Sequence, residues 1–119
     1  MNHFSKPAGD TFLIDFTAVL NVSPLGCMIA SSISRSRGEV PLMTKQSAGL
    51  PTGSSQEINI TVDDAAKSVT GTVTWEPADT RDLYGEYVWD IVLKTPGGDE
   101  ITIDDGTVFF SRRVTRLVE

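Results

Sequence analysis

One cysteine and one histidine in 119 residues remove several chemistries at the outset. With Cys27 alone, no intrachain disulfide can form and no cysteine-built metal site can be assembled. Cys27 therefore reads as a small buried hydrophobe, in a chain made for a reducing compartment. His3 lies in the opening segment, where nothing in the sequence holds it as the base a nucleophilic triad requires. No G-x-S-x-G, phosphate-binding loop or dinucleotide fingerprint is present. An apolar run of about 18 residues, the minimum for a membrane helix, is also missing. The start, "MNHFSKPAGD", lacks the apolar centre of an export signal, so neither membrane nor secretion is expected. Basic residues are in the minority, 10 against 16 acidic, for a net charge of −6. Such a surface repels phosphate, and no nucleic acid partner is expected.

What the chain does have is alternation. In "TFLIDFTAVLNV" the apolar set is Phe12, Ile14, Phe16, Ala18, Leu20 and Val22, while Asp15, Thr17 and Asn21 fall between them. That period of two predicts a half-buried strand. "CMIASSISRS" predicts a second strand, and "QEINITVDD" another through Ile58, Ile60 and Val62. "KSVTGTVTWEP" continues through Val69, Val73 and Trp75, with Gly71 marking close packing or a bulge. "ADTRDLYG" reads as a connection with one helical turn. "EYVWDIVLKT" puts Tyr87, Trp89, Ile91 and Leu93 on one face, and "PGGD" at 96–99 is a hairpin turn by composition. "EITI" and "TVFFS" are expected as two closing strands separated by "DDG". Residues 1–9 are expected to be a flexible arm ending in the turn-forming "KPAGD". Residues 34–56, rich in Ser, Gly and Pro, are expected to be a long polar loop with a short strand near Val40–Met43. About seven short strands with turns every 8–12 residues or so describe an antiparallel β-sandwich or a small barrel, and clean alternation favours the sandwich. Residues 10–117 are expected to form one such domain.

The segment "YGEYVWDIVL" at 84–93 has the form of an immunoglobulin strand in which Gly-x-Tyr-x-Cys carries Trp89 at the cysteine position. Tyr87 is expected to make the tyrosine-corner hydrogen bond of sandwich folds. Trp89 is expected to fill with packed volume the space a disulfide takes, and Trp75 joins them in the core. An exposed Trp89 would instead be a sugar-stacking residue. The acidic pairs Asp63–Asp64 and Asp104–Asp105, with Asp99 and Glu100, fall in predicted turns; they match no calcium-loop spacing, and no metal or cofactor is expected. The candidate partner contacts are Phe4 in the arm, Arg35 and Arg37 at the end of the second strand, and Arg112, Arg113 and Arg116 in the basic C-terminal stretch. Charge is unevenly placed: residues 57–119 hold six basic and thirteen acidic groups, a local balance of −7.

The motifs also occur in a particular order. Gly9-Asp10 precedes the first long strand, Leu25-Gly26 leads into the second, and Gly71 comes with Thr74. Leu83, the Gly85-x-Tyr87-x-x-Asp90 block, the turn glycines, Gly106-x-Val108 and Val114-Thr115-Arg116 follow. In that order, over about residues 9–117, the chain resembles small immunoglobulin-like phage virion proteins, similar to the N-terminal domain of the phage baseplate upper protein. The resemblance implies an immunoglobulin-like sandwich and a non-enzymatic virion component: a tail, neck or baseplate adaptor, or a capsid decoration. It further implies other virion proteins as partners, many copies per particle, and residence in the virion after synthesis in the bacterial cytoplasm. The alternative expectation is a carbohydrate- or protein-binding sandwich module used for adhesion.

Overall fold

A computed structural model describes residues 2–47 and 58–112. Among the described residues, eight strands and one helical turn follow one another: β1 (Asn2–Pro7), β2 (Phe12–Val19), β3 (Met28–Ser34), β4 (Met43–Gln46), β5 (Ile58–Asp63), β6 (Ser68–Trp75), α1 (Pro77–Thr80), β7 (Gly85–Lys94) and β8 (Glu100–Ser111). They make two sheets, one of five strands in the order β1-β8-β7-β3-β4 and one of three in the order β2-β6-β5. Every neighbouring pair is antiparallel except β1 with β8. The protein is thus an all-β immunoglobulin-like sandwich without a disulfide. The extra strand β4 beside β3 extends the larger sheet in the manner of variable-type domains.

Alternation decides which side chains meet between the sheets. In β2, Phe12, Ile14, Phe16 and Ala18 are buried, and the residues between them are exposed. The strand stops at Val19, so Leu20 is only partly buried and Val22 is exposed. In β7 the buried set is Tyr87, Trp89, Ile91 and Leu93. Five rings run in contact through this core. Tyr87 meets Phe110 at 5.9 Å between centroids, Phe110 meets Phe12 at 6.2 Å, Phe12 meets Phe4 at 5.1 Å, and Phe4 meets Trp89 at 5.8 Å. Phe12 belongs to the smaller sheet and the others to the larger, so the chain of rings crosses the interface that a disulfide crosses in antibody domains. The Trp89 indole N–H donates to the Thr107 carbonyl at 3.3 Å.

The tyrosine corner is present. The Tyr87 hydroxyl donates to the Tyr84 carbonyl and accepts from the Tyr84 N–H, both at 3.2 Å, which pins the entry to β7. Tyr87→Phe keeps the ring and loses both bonds, so urea denaturation should register a loss of about 0.5–1.5 kcal/mol. An unchanged midpoint would mean that water replaces the hydroxyl at no cost. At the same end, buried Thr80 in α1 donates to the Asp10 carbonyl at 3.0 Å and accepts from the Gly9 N–H at 3.1 Å. The helical turn thereby holds the β1–β2 corner.

Three expectations are corrected. Residues 2–7 are not a flexible arm but β1, paired in parallel with Gly106–Ser111. Phe4 is the segment's one large apolar side chain and points inward onto Phe12 and Trp89, which is the physical reason the strand docks. The closing region is one strand, not two. β8 runs through "DDG" without a turn, and the register slips opposite Ile91 and Val92 so that Ile103 has no partner on β7. Asp and Gly disfavour strands in isolation, but ladder bonds to β7 override that preference. The long loop is partly structured: its strand is Met43–Gln46 rather than Val40–Met43, and Val40 is exposed. Residues 48–56 of that loop lie outside the described residues.

Candidate functional site

The outer face of the five-stranded sheet carries a polar rung. Backbone register aligns Thr44 on β4, Ser32 on β3, Asp90 on β7 and Asp105 on β8. The Ser32 and Thr44 hydroxyls share a hydrogen bond at 2.9 Å. Asp90 and Asp105 stand directly opposite each other, an arrangement that is destabilising for like charges. Arg37, reaching over from the β3–β4 connection, relieves it with a 3.0 Å ion pair to Asp105. Gly38, with φ of 84°, lets that connection turn over the sheet. The result is a shallow depression of about 260 Å³ bordered by Ser32, Ser34, Arg37, Glu39 and Asp90.

Burial against this rung pushes the Asp90 carboxyl above the ordinary aspartate range, and the neighbouring Asp105 charge adds to the effect. A Ser32 backbone hydrogen bond and the Arg37 charge oppose it. A carboxyl with a raised folded-state pKa binds its proton more readily folded than unfolded. It therefore has no cost below the unfolded aspartate pKa of about 3.9, and a growing cost as pH rises through the folded value. Asp90→Asn should then stabilise the protein at pH 7 by roughly a few tenths of a kcal/mol after solvent screening, with the gain vanishing near pH 3.5 or so. Denaturation midpoints of both proteins across that range check it; a gain that persists in acid would assign the effect to packing.

Two carboxylates set side by side are also the pattern of acid–base pairs. Here one is engaged by Arg37 and the other faces an open surface, so the rung is suited to recognising a polar or charged partner group. Among the described residues, no group of three or more His, Cys, Asp or Glu side chains is placed to hold a metal ion. The acidic residues expected in turns hydrogen-bond to the protein instead, within a turn, across two connections and within β8. Asp63 accepts from the Ala66 N–H at 3.1 Å, Asp64 accepts from the Ser23 hydroxyl at 2.6 Å, and Asp104 accepts from the Asp105 N–H at 2.9 Å. Cys27 is buried, which pushes its thiol up and away from reactivity. No helix among the described residues is long and apolar enough to cross a membrane.

A second cluster lies on the larger sheet at the start of β7. Tyr84 and Phe109 are 56% and 42% exposed, with ring centroids 6.4 Å apart, and the Arg112 guanidinium sits 4.8 Å over Tyr84. Arg35 lies 5.7 Å over the Tyr87 ring at the same end of β7. Of the residues singled out in the sequence, Arg35 and Arg112 thus gather on tyrosines, and Arg37 joins the polar rung. Phe4 is withdrawn as a partner contact, because the core takes it. Arg113 and Arg116 lie outside the described residues. Tyr87, Trp89 and Trp75 are buried, at 2%, 1% and 0% exposure. Among the described residues the Trp75 indole N–H has no hydrogen-bond partner; its ring lies under the Lys45 ammonium at 5.5 Å, and Lys45 pairs with Asp79 at 3.1 Å. Sequence reasoning missed Phe109 and Tyr84. The signal for Phe109 was present: adjacent phenylalanines in one strand must point to opposite faces, so one of the Phe109–Phe110 pair had to be outside.

An immunoglobulin-like sandwich with a polar, arginine-bridged sheet face and an exposed aromatic–arginine cluster defines the class to which the protein is assigned. No protein-family model matches the chain, and no curated protein is significantly similar to it.

Proposed function

We propose that the protein is a non-enzymatic structural subunit of a bacteriophage virion, joining tail, neck or baseplate parts or decorating the capsid through protein–protein contacts. The motif order from Gly9-Asp10 to Val114-Thr115-Arg116 supports the assignment by resemblance. The observation that carries the contact role is the Tyr84–Phe109–Arg112 cluster. Tyrosine and arginine dominate the energetics of protein interfaces, and this cluster presents both around exposed apolar area. Repetition in a particle turns such modest contacts into firm attachment.

The test is composition and protection. Mass spectrometry of purified particles should find the chain in many copies. Trypsin should cut the isolated chain within 34–56 and beyond Arg112, and both regions should be protected in the particle. Particles free of the chain, or equal cleavage in both states, would count against the reading. Tyr84→Ala with Phe109→Ala should reduce incorporation about tenfold or more while leaving the fold intact. The carbohydrate-binding alternative is less favoured. Both tryptophans are buried, and the Tyr84 ring that a sugar would stack on is already covered by Arg112.

A further inference from the structure

The depression on the outer face of the larger sheet holds a buried hydroxyl that nothing in the fold uses. Ser34 ends β3 on the same face as Ser32, because residues two apart in a strand point the same way. The register sets Ser32 opposite Asp90 and Ser34 opposite Val88. The β3–β4 connection passes over this corner with Arg37, Gly38, Glu39 and Pro41. Under it Ser34 is only 9% exposed, and it lines the depression of about 260 Å³. Among the described residues, the Ser34 hydroxyl has no hydrogen-bond partner. Buried polar groups are ordinarily satisfied, so this hydroxyl is left for an occupant of the depression.

Charge and hydration identify the occupant. Three carboxylates, Asp90, Asp105 and Glu39, gather around one guanidinium, that of Arg37. The corner keeps an excess of negative charge, which disfavours an anion. Arg37 forms its ion pair with Asp105 rather than with Asp90, so Asp90 faces the depression as the stronger attraction for a cation. A bare metal ion would need more ligands than come together here among the described residues. A molecular cation remains. Val88 and Pro41 form part of the wall, so an entering group gives up some of its water. A guanidinium is more weakly hydrated than an ammonium and offers five N–H donors in a planar fork. It can donate to the Asp90 carboxylate and to the Ser32 and Ser34 oxygens together.

We propose that the depression over Ser32, Ser34 and Asp90 is a binding site for an arginine side chain of a partner protein. Asp90 is the anionic anchor, and the two serine hydroxyls accept the remaining donors. Arg37 limits the affinity, because its charge repels the guest. Glu86, Val88 and Asp90 alternate on one face of β7, and Phe109 stands opposite Glu86. The site therefore shares a sheet face with the exposed aromatic ring, and one partner can meet both. The inference rests on the reading of the chain as a subunit of an assembly and names the chemistry of one contact.

Nuclear magnetic resonance titration of the isotope-labelled full-length chain with the peptide acetyl-Gly-Arg-Gly-amide tests it. Amide signals of Ser32, Ser34, Val88 and Asp90 should shift together and saturate. The same peptide with citrulline for arginine keeps the outline without the charge, and should bind at least about tenfold more weakly. Both peptides are read on the wild-type protein, so the outcome depends on no variant's folding. Asp90→Asn should weaken the arginine peptide at least about tenfold and Ser34→Ala about threefold. Arg37→Gln should tighten it about threefold, since a competing charge is gone; an anion held by Arg37 would give the opposite sign. Near-ultraviolet dichroism confirms that each variant keeps native packing. Equal binding of the two peptides, or shifts that spread over the acidic surface without saturating, overturn the proposal. Incorporation into particles is measured separately. A chain found in the particle that ignores the peptide loses this site and keeps the virion role, and one that binds it but is absent from particles keeps the site alone.

Discussion

Replacing Trp89 with alanine should remove about 3–5 kcal/mol, a large share of the total stability of a domain this size. The indole is 1% exposed, packs on Phe4, and donates to the Thr107 carbonyl. Truncation opens a cavity among residues of two strands of the larger sheet, and the Thr107 carbonyl loses a donor. No covalent crosslink holds the sheets while they adjust, because Cys27 is the only cysteine. The melting temperature should fall by roughly 10–20 °C. The loss should also be local: β1 is fastened through Phe4, so backbone amides of residues 3–6 should exchange faster in the variant than those of β2. Trp89→Phe should fall between the two proteins, keeping ring contact but not the indole hydrogen bond. A loss below about 1 kcal/mol for the alanine variant would mean that the aromatic chain does not substitute for the missing staple.

Gly71→Ala sets two principles against each other. Glycine inside a strand is ordinarily a weakness, and alanine should gain about 0.5–1 kcal/mol from backbone entropy. At this position a Cβ would stand 2.7 Å from the Asn59 carbonyl oxygen and 2.8 Å from the Phe16 ring. Phe16 is the direct cross-strand partner of Gly71, and its ring lies on the space the glycine leaves open. A ring can rotate away; the Asn59 oxygen is part of the β5 backbone and moves only if the β5–β6 ladder shifts. Sterics should win, with a net loss of about 1–3 kcal/mol by chemical denaturation. Adding Phe16→Leu should recover part of the ring clash and none of the backbone one. A stabilised Gly71→Ala protein would show that the ladder is soft enough to yield.

Aromatic packing in place of sulfur has a consequence for assembly. A sandwich held by contacts alone folds without an oxidising step, which suits a chain that the proposed reading makes in a reducing cytoplasm. The covered edge, β1 against β8, is fastened by Phe4.

Strand positions and inward faces were legible from local pattern because period-two alternation is written into consecutive residues. Phe12 to Ala18 and Tyr87 to Leu93 declare their buried sides without knowledge of any partner strand. The tyrosine corner was legible for the same reason, since its donor and acceptors lie within four residues. What depended on distant pairing was not. β1 has one large apolar residue and no alternating run, and only the edge of β8, over 100 residues away, makes it a strand. The "DDG" stretch reads as a turn until β7 supplies the ladder that keeps it extended. The Asp90–Asp105 rung with Arg37 and the Tyr84–Phe109–Arg112 cluster each join residues from separate elements. Their contact energies exist only once the sheets have stacked, so nothing in the local sequence records them.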